Sequence, residues 1–114
     1  MRYLAIYRSA ETGVPPSPEN MAAMGKLIEE MARAGVLLAT EGCQPSSKGT
    51  RVRISGGKFA VTDGPFTETK EVVGGYAITQ CKDMAEALEW TKRFLEIHPK
   101  NWTVTSEVRE IAES

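Results

Sequence analysis

The stretch RYLAIYR, Arg2–Arg8, decides the fold. Side chains alternate across a pleated strand, so Leu4 and Ile6 fall on one side and Tyr3, Ala5 and Tyr7 on the other. A strand covered on one side alternates apolar with polar residues. Here both sides are apolar, which makes this strand central and covered on both faces. Its neighbours must then come from later in the chain.

Outward from that strand, TGVPPSP is a loop, Ser17 is a good N-cap and Pro18 suits a first helical position. The spacing predicts a helix over about 18–34, because Met21, Met24, Leu27, Ile28 and Met31 recur at steps of three and four. Gly35 stands where a left-handed cap ends such a helix. Residues 36–40 (VLLAT) read as a strand ending at Glu41-Gly42. After the loop QPSSKG, residues 50–62 read as a hairpin. Val52 and Ile54 alternate with Arg51 and Arg53, Gly56-Gly57 makes the tight turn, and Phe59 and Val61 return. A further strand spans about 72–80 (VVGGYAITQ).

Asp83, followed three residues on by Glu86, is a capping box for a second helix. Met84, Ala87, Leu88, Thr91 and Leu95 form its expected buried stripe, with Trp90, Phe94 and Ile97 flanking it as core or dimer surface. Pro99 stops it. Residues 102–109 (WTVTSEVR) are the last strand, with Trp102, Val104 and Val108 on one face. The order β-α-β, hairpin, β-α-β is that of a ferredoxin-like α+β sandwich with an inserted hairpin, here a single domain over residues 1–114. Its helices cover one face of the sheet only. A second copy related by a twofold is the simplest cover for the other face, which predicts a homodimer.

Composition sets the outer bounds. With 114 residues the chain fits one core, and a net charge of −1 with mixed signs gives no basic stripe for a phosphate backbone. Nucleic acid is therefore not an expected partner. No apolar run reaches membrane-spanning length, and none near the N-terminus resembles a secretory leader. Cys43 and Cys81 lie far apart with no CxxC, so two free thiols in a reducing cytoplasm are expected. His98 has no second ligand at i+3 or i+4, and no phosphate loop or dinucleotide glycine fingerprint occurs, so neither metal nor cofactor is expected.

The segments TDGPFTETKEVVGGYAI, AGVLLATEGCQPS before it and DMAEALEW after it closely resemble the YCII-related family of DGPF-domain proteins. The likeness runs from RYLAIY to EVR. It implies a branch of the dimeric α+β barrels, ferredoxin-like protomers whose sheets pair across a dimer. For distant relatives it implies a His–Asp pair in a pocket between sheet and helices. For the DGPF branch it implies a regulatory setting beside sigma factors of the extracytoplasmic-function type. This chain departs from that pattern twice: its one histidine, His98, ends the second helix, and Glu110 stands where relatives often carry proline.

Candidate site residues follow from the same segment. Asp63 reads as a turn-capping carboxylate, with Pro65 fixing the backbone and Phe66 plugging the core, or as a general base in a pocket. In TETKE, an extended chain would put Glu68 and Lys70 on one face and Thr67, Thr69 and Glu71 on the other. Solvated, these charges screen one another. Turned inward, Glu68, Lys70 and Glu71 line a polar cavity, with Lys70 holding an anionic group that Glu68 orients. Gly74-Gly75 marks a bulge or a close backbone approach. Glu41 at a strand end and Tyr76 are candidate ligand contacts, and Tyr3 and Tyr7 read as core aromatics with a polar tip. Cys43 lacks a partnering base.

The leading functional expectation is a small-molecule-binding protein for an anionic or phenolic ligand. Any lyase or isomerase chemistry would fall on Asp63, Glu68, Lys70 and Glu71, since no histidine lies on a core strand. The competing class is a non-catalytic interaction module in a sigma-factor circuit.

Overall fold

The computed structural model describes residues 1–113. Its elements are β1 (Arg2–Ser9), α1 (Pro18–Arg33), β2 (Leu37–Gly42), a single 3-10 turn at Ser46–Lys48, β3 (Thr50–Ser55), β4 (Lys58–Asp63), β5 (Val72–Gln80), α2 (Met84–Glu96) and β6 (Val104–Glu110). Four strands form one antiparallel sheet in the order β2-β5-β1-β6, and β3 and β4 form a separate two-stranded sheet. This is the ferredoxin-like arrangement with an inserted hairpin, and β1 lies inside it as its two apolar faces require.

The local signals act where expected. Ser17 accepts the Asn20 amide at 3.1 Å to start α1, and Gly35 ends it at φ 72°. Asp83 accepts the Glu86 amide at 2.9 Å while Glu86 reaches back to the Lys82 amide at 3.1 Å. At the far end, Trp102 lies outside β6. Its amide is bonded to the Pro99 carbonyl at 3.0 Å, and that turn delays the strand to Val104.

Both helices cover the sheet face that carries Tyr3, Ala5 and Tyr7. Ala5 and Ala77 are register partners at its centre and are covered by Phe94 and Leu95 of α2, while Ala87 packs in the neighbouring cluster with Tyr3, Leu27 and Met31. Leu27 and Met31 bury the inner side of α1. Three expected stripe positions, Met21, Met84 and Leu88, fall outside the core. Met21 is 61% exposed, the buried residues of α1 being Leu27 and Met31, and in α2 the buried line runs through Ala87 and Thr91. Trp90, Phe94 and Ile97 pack on the core from one flank of that line, while Met84 and Leu88 are partly exposed on the other.

Candidate functional site

The loop after β4 is built around Ser46. Its hydroxyl donates to the Glu11 carboxylate and accepts the Phe66 amide at 3.2 Å, while its own amide reaches Glu11 at 2.6 Å. These bonds hold the Glu11 carboxyl below the usual range. The Gly64 amide donates to the Gly49 carbonyl at 2.9 Å, and the Gly64-Pro65 bond that follows is cis. A Cβ at Gly64 would lie 1.7 Å from the Ser46 carbonyl oxygen, so only glycine fits.

Asp63 is exposed at the end of β4. It accepts a hydrogen bond from the Thr50 hydroxyl at 3.0 Å, across the hairpin rather than from its own turn. Phe66 does not plug the core: it is half-buried beside Gly49, with the Arg51 guanidinium 4.2 Å above its ring. The extended reading of TETKE is also corrected. Both the amide (3.3 Å) and the hydroxyl (3.0 Å) of Thr69 bond to the Phe66 carbonyl, which curls the segment into a turn. Glu68 pairs with Arg51, which lowers its carboxyl pKa. Lys70 is exposed.

A cleft of about 590 Å³ opens beside this loop, with Arg8, Lys48, Arg51, Thr69 and Glu71 in its walls. Asp63, Glu68 and Lys70 lie outside its lining, so the four residues expected to act together are not brought to one point.

A second cleft, of about 390 Å³, lies between the open end of the sheet and the helices. Tyr7, Thr40, Glu41, Tyr76, Phe94, His98 and Trp102 are in its walls. Both candidate ligand contacts, Glu41 and Tyr76, are here, on register-paired positions of β2 and β5. Gly75 makes that pairing possible. A Cβ there would come 2.7 Å from the Glu41 carbonyl oxygen, so Gly75 is the close approach that the Gly-Gly pair suggested. The ladder also slips between Tyr7 and Arg8, opposite Gly74, which makes the expected bulge.

An aromatic run crosses this cleft. Tyr7 stacks on Phe94 at 4.1 Å between centroids, Phe94 meets His98 at 5.0 Å, and His98 lies 6.4 Å from Trp102. Burial pushes the Tyr7 phenol up to about 12, so it is a neutral hydrogen-bond donor through the physiological range. The Leu95 carbonyl, 3.4 Å from His98 Nδ1, favours a proton on that nitrogen and leaves Nε2 as an acceptor. On β6, Ser106 lies opposite Tyr7 and buries a hydroxyl with no hydrogen-bond partner among the described residues.

His98 and Trp102 were not expected at a site, because the end of a helix beside a proline gives no hint of what lies beneath it. The one available signal was the step of four linking Phe94, His98 and Trp102. Among the described residues no group of three or more His, Cys, Asp or Glu could hold a metal ion, and no helix is long and apolar enough to cross a membrane.

A family model for the YCII-related domain matches residues 1–111. An uncharacterized protein of Rhizobium meliloti strain 1021 is 30% identical over 92 residues, an overlap covering 81% of this chain and 73% of that protein. By residues 1–111 of its length, the chain belongs to the YCII-related domain family.

Proposed function

We propose that this protein binds a small phenolic or aromatic acid in the cleft between sheet and helices. The observation that carries this reading is the run Tyr7–Phe94–His98–Trp102 along one mostly apolar cavity whose rim is polar. Small-molecule sites have that composition: apolar walls with a few placed polar groups. A ligand ring would lie against Phe94 and Trp102, opposite Met24 and Ile28. Its polar end would meet the Tyr7 hydroxyl as donor and His98 Nε2 as acceptor. Any proton transfer in this cleft falls to Tyr7 and His98. Glu71 lines the neighbouring cleft with Arg8 and Lys48, where a second anionic group would find cations.

The test is a thermal-shift panel of phenolic and aliphatic carboxylic acids on the wild type beside Tyr7→Phe and His98→Gln. A ligand at about a hundred times its dissociation constant adds roughly 2.7 kcal/mol, an effect a melting curve resolves. A phenolic acid should raise the wild-type melting temperature, and both variants should blunt that shift. A flat panel, or a shift untouched by both substitutions, would remove the ligand from this cleft.

A further inference from the structure

A further cavity adjoins the cleft between sheet and helices. It is a groove of about 420 Å³ between α1 and the end of α2, with Met21, Met24, Ile28, Ile97, Pro99 and Trp102 in its walls. Among the described residues no Asp, Glu, Lys or Arg lines it, so nothing there would hold an ionised group. The two cavities meet, because Met24, Ile28, His98 and Trp102 line both. A molecule whose ring lies against Trp102 in the cleft therefore has the groove directly beyond it.

The α1 wall leaves space for an occupant. Met21, Met24 and Ile28 follow one another at steps of three and four, on one helix face. Met21 is 61% exposed, an apolar side chain that its own chain does not cover. Gly25 stands one turn after it in the same wall. Glycine destabilises a helix interior relative to alanine, and its usual uses are a positive φ or a close backbone approach. Gly25 serves neither. Its φ is not positive, and a Cβ there would meet nothing within 4 Å. What the missing side chain leaves is room in the groove, beside the thioethers of Met21 and Met24, which adapt readily to an apolar guest.

We infer that the ligand of the cleft is an aromatic acid carrying an alkyl chain, and that the chain lies in this groove over Gly25. The inference rests on the aromatic-acid reading of the cleft and extends that ligand past Trp102. Size decides against a protein occupant. A helix about 10 Å across would fill the groove with on the order of one turn, and a stable protein contact buries roughly 800 Å² per partner. A cavity of a few hundred Å³ with apolar walls is that of a small molecule.

The experiment is isothermal titration calorimetry of the full chain with para-methyl-, para-butyl- and para-hexylbenzoate. Wild-type affinity should rise about twofold for each added methylene, below the roughly fourfold of complete burial, because the groove covers a chain from one side only. Gly25→Leu fills the groove, and Met21→Gln makes its wall polar. Both substitutes are good helix formers at exposed positions, so the melting temperature should not fall. Both residues lie outside the cleft, so each variant should hold para-methylbenzoate within about twofold of the wild type yet lose most of the gain on reaching the hexyl compound. Tyr7→Phe should weaken all three compounds by a similar factor. Equal wild-type affinity for the three compounds, or a hexyl gain that survives in both groove variants, overturns the groove and leaves the cleft standing. If none of the three binds, the reading of the cleft falls and the groove falls with it.

Discussion

The ring of Tyr7 stacks on that of Phe94 with centroids 4.1 Å apart and planes 29° from parallel. This contact removes the phenol from water and raises its pKa from 10.0 to about 12. The folded state therefore holds the Tyr7 proton more tightly than the unfolded chain does. Its contribution is fully present below pH 10 and is lost as pH rises through about 12. That difference between folded and unfolded phenol corresponds to about 2–3 kcal/mol. Tyrosinate absorbance should show a tyrosine titrating late, and Tyr7→Phe should remove it and flatten the alkaline decline in stability.

At Gly75 the limit is steric. A methyl group would meet the Glu41 carbonyl at 2.7 Å and the Gly42 Cα at 3.3 Å, both backbone atoms that cannot turn aside. Gly75→Ala should cost about 1–3 kcal/mol in urea denaturation. Gly74→Ala, whose nearest contact would be 4.0 Å away, should cost less and serves as the control.

Acid should loosen the loop around Ser46. Hydrogen bonds from Ser46 lower the Glu11 pKa, and arginine partners do the same for Glu30, Glu68 and Glu113. These carboxyls hold their protons less tightly in the folded state. The stability they add is present above about 4.5 and is lost as pH falls through their lower folded values. Urea midpoints of wild type and Glu11→Gln should differ at about pH 7 and converge by about pH 3. Parallel curves at both values would show that the Glu11 charge does not matter.

The start of α2 rests on one side chain. Asp83→Ala should cost roughly 1 kcal/mol, since the Glu86 amide loses its acceptor. Asp83→Asn, which can still accept that bond, should restore most of the loss.

What could be read beforehand was what neighbouring residues decide among themselves. The alternation in RYLAIYR placed β1 inside the sheet. Gly56-Gly57 fixed the hairpin turn, which both residues make with positive φ. The Asp83–Glu86 spacing marked the start of α2. What escaped depends on distant partners. Nothing near Phe66 in sequence says that Arg51 will cover its ring. Trp90 and Phe94 turn inward because the small surface of Ala5 and Ala77 leaves room beneath α2, whereas Met84 and Leu88 face the rim. His98 joins a cavity because the end of α2 overlies the open end of the sheet, a matter of packing rather than local pattern. Glu41 and Tyr76, each singled out by its place on a strand, sit at register-paired positions of β2 and β5, whereas the helix residues opposite them carry no such local signal.

The position of β1 also constrains how the protein is made. Residues 2–9 pair with 72–80 on one side and 104–110 on the other, and the Ile111 amide bonds to the Arg2 carbonyl at 2.8 Å. The central strand thus emerges from the ribosome before both of its neighbours and waits for them. Until then, Leu4 and Ile6 are open to any chaperone that captures exposed apolar strands. Ordered closure of this sheet is a late, nearly all-or-none event with a high contact order, and it should make refolding slower than in a helical protein of equal length.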